Sequence, residues 1–475
     1  MRYIFNFTIA FIFAISTLCI LPSCKKQTEL SSYDLSIEYE NGKIDGKLVY
    51  KFVNSYNTTF DHLVFNLHAN AYSEGATNRP VTTTTEARAY PNGLSYGKIE
   101  IKNAYANNSP AKYQIYGEDD EFLKICFDSV KKGDSVSVEI EFITTLPESA
   151  LRLGKNKTSV NLADFFPVVC KIQKGKFLEI TYAPVGDPYF ADLHDYEVDI
   201  TVPSEYVVAS SGYPTQTIVD ETSTTYSYTL SHGRDFAFLL SKNYSVASKT
   251  TGEVLYTYYG FSGHEEEFLD LVIDAVNFFS KVFGNYPYKS LSVAECQLAF
   301  GGMEYTGLCF IDYSLDNEYK QKVIVHEIAH EWWHSAVGND QNKCGYIDEG
   351  LAEYSTYLYF KSKDEDVAKD MINNAKLAYK SFFELEDTLL GKANTTMERE
   401  LSTFKSEYEY SNIAYNKSLL MFYEYGKAIG EDKAKSKLSE LYATNNLKDL
   451  TLQNIIKTFG YSEHFKSFVT GKVLI

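Results

Sequence analysis

Apolar and polar residues alternate from about residue 33 to 245. Leu35, Ile37 and Tyr39 share one face, Asn41-Gly42 gives a hairpin turn signal, and Leu48 and Tyr50 resume the pattern. Val136, Val138, Ile140 and Phe142 alternate strictly, as do Tyr196, Val198, Ile200 and Val202 up to Pro203. A period of two belongs to half-buried strands. The first half therefore reads as a mostly antiparallel β domain. After about residue 255 the period lengthens. Phe268, Leu271, Val272, Ala275, Phe279 and Val282 recur at helical spacing across 264–283, and Gly284-Asn285-Tyr286-Pro287 stops the run. Leu291 to Phe300 then reads as an alternating strand. Further helices are predicted at 318–338, 349–362, 364–382, 410–428 and 431–443. The fold class is α+β: an N-terminal antiparallel β domain over 33–246, then an α+β domain over 247–475.

The first residues break both patterns. Arg2 precedes a nearly unbroken apolar run from Tyr3 to Leu21, and Leu21-Pro22-Ser23-Cys24 leads into Lys25-Lys26-Gln27. A charged start, an apolar stretch and a small residue before a cysteine make a secretory signal. This one resembles a bacterial lipoprotein signal, which implies removal of residues 1–23, acylation of Cys24 and a short tether over 24–32. The expected location is the bacterial cell envelope, with the protein bound to a membrane by its lipid and facing outside the cytoplasm. An uncleaved membrane helix is the competing reading, although the run barely reaches the ~20 residues a span needs.

Composition narrows the partners. Asp and Glu outnumber Lys and Arg 63 to 45, for a net charge of −18, and no basic tract offers phosphates a positive face. Nucleic acid is therefore not an expected partner. Seven cysteines in 475 residues exclude a disulfide scaffold.

The sharpest signal is His326-Glu327-Ile328-Ala329-His330, an H-E-x-x-H inside a predicted helix from Lys322 to His334. Residues four apart on a helix lie ~6 Å apart along the axis and ~40° apart around it. The two imidazoles can thus meet one Zn²⁺, with Glu327 beside it as a general base for the attacking water. A catalytic zinc takes a third protein ligand and keeps one position open. His334 would stand ~12 Å along the axis from His326, too far to share the ion. It reads as a supporting or packed residue. Glu349 is the better third ligand. The 18 residues before it hold Gly338, Asn339-Asp340 and Gly345, enough turn chemistry to reverse the chain, and Glu349 opens the next predicted helix. Asp348 is placed to hold the far N–H of a histidine.

H-E-x-x-H followed 18 residues later by Glu resembles the gluzincin arrangement of the aminopeptidase N and leukotriene-hydrolase family of zinc peptidases. Three more segments carry the resemblance. Gly301-Gly302-Met303-Glu304 is similar to that family's G-x-M-E-N exopeptidase motif. The segment from Tyr346 to Tyr354 is similar to its W-L-N-E-G-F-A-x-Y, and Tyr415-Asn416-Lys417-Ser418 to its Y-x-K-G. Tyr305 stands where the motif has Asn, and Ser418 where it has Gly. The resemblance implies a saddle-like β domain, a thermolysin-like catalytic domain and one Zn²⁺ per chain held by His326, His330 and Glu349. It further implies Glu327 as base, Tyr415 as donor to the oxyanion, Glu304 as partner of a substrate's α-ammonium, and Gly301 and Gly302 along the extended peptide. Tyr408 and Tyr410 compete with Tyr415. The expected activity is removal of N-terminal residues from peptides. The alternatives are an endopeptidase on the same zinc site and an inactive peptidase-fold surface lipoprotein that binds without cleaving.

Overall fold

The computed structural model describes residues 29–471. The signal sequence and Cys24 lie outside them. The first half is built on an eight-stranded sheet. In spatial order its strands are Tyr213–Val219, Ser223–Gly233, His194–Pro203, Ser32–Glu40, Lys43–Val53, Ser135–Thr145, Lys98–Ala106 and Ser109–Pro110. Alternation along Ser32–Glu40 and Lys43–Val53 buries Leu35, Ile37, Tyr39, Leu48 and Tyr50 and leaves the intervening residues toward water, as a sheet with one solvated face requires. Asn41 and Gly42 both have positive φ, 50° and 82°, and close the hairpin between Glu40 and Lys43. The sheet is not wholly antiparallel: Ser32–Glu40 pairs in parallel with His194–Pro203. Those two strands are far apart in sequence, so no hairpin fixes their direction.

A five-stranded sheet opens the second half, in the order Ser245–Thr251, Val254–Gly260, Ser290–Cys296, Leu308–Asp312 and Gly302–Tyr305. The strand expected to alternate from Leu291 to Phe300 instead ends at Cys296, and all seven of its residues are buried. It runs parallel to both neighbours. A central parallel strand covered on both faces reads as a continuous apolar run.

The helix Asn317–His330 packs against this sheet; Asp316 caps it by accepting the Tyr319 N–H at 3.0 Å. It does not run unbroken to His334. After His330 the backbone widens into a π-helical turn over Glu331–Ala336. Tyr346–Lys363 follows, starting three residues before Glu349 rather than at it, then Glu365–Leu390, Lys417–Ile429 and Glu431–Asn445. Tyr415 lies in a second π-helical turn, Ser411–Asn416. Two short helices that the sequence reading did not anticipate, Leu452–Phe459 and Ser462–Thr470, finish the lobe. No helix among the described residues is long and apolar enough to cross a membrane.

An ionic clasp of two buried cations and two half-buried carboxylates joins the halves. Arg234 donates to Asp449 Oδ1 at 2.9 Å and to the carbonyls of Ala191, Lys448 and Ser335 at 3.1, 3.0 and 3.2 Å. Lys171 bridges Asp192 and Asp449 at 2.7 and 2.8 Å. The loop before His194 is thereby held against the catalytic half.

Candidate active site

His326 and His330 project from one face of their helix, and Glu349 comes from the first turn of the helix packed beside it. Their ligand atoms form a triangle. His326 Nε2 is 3.0 Å from His330 Nε2 and 3.2 Å from Glu349 Oε2, and His330 Nε2 is 3.4 Å from the same oxygen. Ligands about 2.0–2.1 Å from a tetrahedral zinc stand about 3.3–3.4 Å from one another, so the triangle fits the ion. All three residues are buried. Burial alone would raise the Glu349 carboxyl. The two imidazoles facing it overcome that and hold it at about 2, so it is ready as an anionic ligand.

The carboxylate behind a histidine is not Asp348. Asp348 accepts from Asn339 Nδ2 at 3.0 Å and Gln341 Nε2 at 2.8 Å, both in the segment that precedes its helix. Glu353 takes that place instead, with Oε1 3.2 Å from His326 Nδ1. Its signal in the sequence was its position one helical turn after Glu349, on the same face.

Glu327 is buried, and its Oε2 has no hydrogen-bond partner among the described residues. Burial pushes its carboxyl well up, the Glu304 and Glu349 carboxylates add to this, and His326 opposes it. Its Oε1 lies against Gly302, where an added Cβ would come within 2.2 Å. Only glycine lets this carboxylate reach the strand beside it. Gly301 lines the same cleft, where an added Cβ would stand in ordinary contact with the Val323 side chain at 3.4 Å.

Tyr415 donates its hydroxyl to Glu349 Oε1 at 2.6 Å and stacks on His326, with ring centroids 5.9 Å apart. Tyr410 also lines the cleft and meets Tyr415 edge to face. Tyr408 packs against Phe382, is 48% exposed and does not line the cleft.

Glu304 sits on the edge strand Gly302–Tyr305 and accepts from Gln341 Nε2 at 3.2 Å. Burial raises its carboxyl to about 8, Asp187 and Glu349 push the same way, and His334 opposes them. Tyr305 points to the other side of the strand, packs on Phe310 and lines a cavity between the two halves, so its bulk stays out of the cleft.

One cleft residue has no motif to announce it. Asp187, from the β half, presents a carboxylate oxygen within 4.8 Å of those of Glu304 and Glu349. Arg152 pairs with it at 2.8 Å, and both side chains are more than nine-tenths buried. The cleft has a volume of about 570 Å³ and takes in Asp187, Gly301, Gly302, Glu304, Glu327, Tyr415 and the three candidate ligands. His334 is absent from it. It lies in the π-helical turn that follows His330, with its Nε2 2.9 Å from Asp235 Oδ2.

Residues 268–470 match the model of the Peptidase family M1 domain. No curated protein matches the chain. Among solved structures, the M1 zinc metallopeptidase from Deinococcus radiodurans aligns at a TM-score of 0.67 and 15% identity, over 94% of this chain and 95% of that one. A mutant of that enzyme, solved with a Tyr-Ser-Ala substrate, aligns at 0.65 and 15% identity, again over 94% and 95%. A mutant two-domain M1 zinc metallopeptidase bound to L-arginine aligns at 0.65 and 14% identity, over 94% and 95%. The described fold, a β-rich domain followed by a helical catalytic domain, is the fold of these two-domain enzymes. The family match identifies residues 268–470 as a Peptidase family M1 domain, and together with the shared two-domain fold it supports placement among the aminopeptidase N-type gluzincins, a family of zinc metallopeptidases.

Proposed function

We propose that the protein is a zinc aminopeptidase that removes N-terminal residues from peptides, with one zinc per chain held by His326, His330 and Glu349. The observation that carries this reading is the meeting of Glu304 and Asp187 beside the ligand triangle. In an extended peptide the α-ammonium lies one residue before the first peptide carbonyl. Two buried acids at that distance from the ligands, one of them already paired with Arg152, leave Glu304 to receive a substrate cation. Charge-assisted pairing there contributes ~1.5–3 kcal/mol. Zinc, when bound, supplies Lewis acidity that polarises the carbonyl and makes water easier to deprotonate. Glu327 takes the proton from the attacking water and delivers it to the leaving amine; its raised affinity for a proton suits both halves of that task. The Tyr415 hydroxyl exchanges its bond to Glu349 for one to the carbonyl oxygen as negative charge builds there. Gly301 and Gly302 line the cleft at the edge strand, where the substrate backbone would lie.

Metal analysis of the purified protein should return one zinc per chain, and a free-amine aminoacyl reporter should be hydrolysed. Glu327→Ala should keep the metal and lose turnover; wild-type turnover in that variant would sink the mechanism.

We also propose that the chain is processed at Cys24 and held in the cell envelope by an acyl anchor, on the strength of the Leu21 to Cys24 signal. Several acyl chains are needed for stable anchoring, because one binds only marginally. Cys24→Ala should release the protein from the membrane fraction or block processing. Unaltered membrane association with an intact N-terminus would favour the uncleaved helix.

A further inference from the structure

The zinc helix carries its motif twice. His330-Glu331-Trp332-Trp333-His334 repeats the H-E-x-x-H pattern one turn after the first. The second copy cannot join the first at the metal, because its acid and last histidine turn away. The π-helical widening over Glu331–Ala336 re-aims them toward the neighbouring sheet. Both Glu331 oxygens accept the Gly307 N–H, at 3.0 and 3.2 Å, and Tyr286 donates to one of them at 3.3 Å. His334 Nε2 pairs with Asp235 Oδ2 at 2.9 Å, and the other Asp235 oxygen accepts the Thr306 N–H at 2.7 Å. The Arg234 N–H donates back to Thr306 Oγ1 at 3.2 Å.

Thr306 and Gly307 are the two-residue turn of the hairpin that carries Glu304; Glu304 pairs with Cys309 and Tyr305 with Leu308. Gly307 has φ +71°, a conformation that glycine adopts without strain, and the bonds to its neighbours fix where the turn sits. Both of its backbone amides end on buried or half-buried carboxylates, one from the zinc helix and one from the β half. His334 also presents a nitrogen within 4.8 Å of Glu304 and Asp348 oxygens. Asp235, Glu331 and His334 do not line the cleft. Glu331 is 1% exposed, and a buried acid is costly unless its bonds are made. An apolar side chain would close the same space at less cost. What the acid adds is a fixed place for the turn.

We propose that Asp235, Glu331 and His334 are positioning residues that set the Glu304 carboxylate at the amine end of the cleft, so that groups outside both the ligand set and the cleft govern the preference for a free N-terminus. This rests on the aminopeptidase reading. A misplacement near 1 Å can cost on the order of a hundredfold in rate, so small movements of this turn are enough to matter.

The test is a double-mutant cycle on the full chain with zinc content measured throughout. Its readout is the kcat/KM ratio of a free-amine aminoacyl reporter to the N-acetylated form. Asp235→Ala should keep the zinc and lower this ratio by about tenfold or more, with KM for the free amine rising most. Asp235→Asn, which retains an acceptor for the Thr306 N–H, should recover most of the loss. In a Glu304→Ala background, Asp235→Ala should change the ratio by less than about twofold, as coupled sites do. Should Asp235→Ala fail to fold, His334→Leu keeps the Asp235–Thr306 bond and should lower the ratio about threefold, again only when Glu304 is present. Equal losses on both substrates, or the same loss with and without Glu304, would overturn the positioning role while leaving the aminopeptidase intact. A wild type with no preference for the free amine would remove the aminopeptidase reading, and this proposal with it.

Discussion

The two ends of the cleft are built in opposite ways. The ligand end uses two neighbouring helices of one domain, and its three residues fall within a span of 24 along the chain, from His326 to Glu349. The other end gathers Asp187 from a β-domain loop, Glu304 from an edge strand and Gln341 from the short helix Gln341–Cys344. Helical spacing brings the first set together almost by itself. Glu304 and Gln341 share the catalytic half, and Asp187 reaches them from the β half, which Arg234, Lys171 and Asp449 help to clasp in place. On the proposed reading, the contrast teaches that the reaction chemistry is local in sequence, whereas recognition of a substrate's amine end draws on both halves of the fold.

The comparison can be sharpened by substitution at each end. The largest effect is expected at the ligand end: Glu327→Ala should lower kcat/KM by ~10²–10⁴, with zinc retained in a metal assay. Tyr415→Phe should lower kcat by ~10²–10³ and leave KM nearly unchanged. A silent Tyr415→Phe beside a crippled Tyr410→Phe would transfer the role to Tyr410, which shares the cleft. Glu353→Gln should weaken zinc binding ~10–100-fold through His326, measurable by competition with a chelator. The matching change at Asp348 should not produce that loss, because Asp348 serves Asn339 and Gln341 instead. At the amine end, Asp187→Asn should raise KM for free-amine substrates about tenfold, since one of two carboxylates remains. The smallest effect belongs to Tyr408→Phe. Its ring packs outside the cleft, so activity should stay within about twofold of wild type, as for a surface change.

What could be read from the chain follows the same division. The period-two strands, the Asn41-Gly42 hairpin and the H-E-x-x-H with its distant glutamate are encoded by spacing, and spacing is visible in one sequence. The helix beginning at Tyr346 was read three residues late, because Gly345 and the loop residues before it masked its start. The buried strand Ser290–Cys296 was given a false period, since a strand covered on both faces has none to show. Leu452–Phe459 was missed although Thr451 and Asn454 cap it reciprocally; Asn at that position is not the usual Glu or Gln, and the helix is short. Asp187 could not have been found: a Gly-Asp-Pro stretch is a turn signal in any β domain, and only tertiary structure carries it to Glu304. The exchange of Asp348 for Glu353 behind His326 has the same origin. Both acids lie near Glu349 in sequence, and their different surroundings decide which one faces the histidine.

The central claim is that Glu304, at an end of the cleft assembled from the whole fold, decides where the substrate is cut. The most direct measurement is kcat/KM for one reporter peptide with its amine free and with it acetylated, in wild type and in Glu304→Ala. Wild type should prefer the free amine, and Glu304→Ala should cut that preference by roughly ten- to a hundredfold while zinc content stays the same. Internal cleavage of acetylated peptides by wild type, at a ratio that Glu304→Ala leaves unchanged, would contradict the account and make the enzyme an endopeptidase on the same metal site.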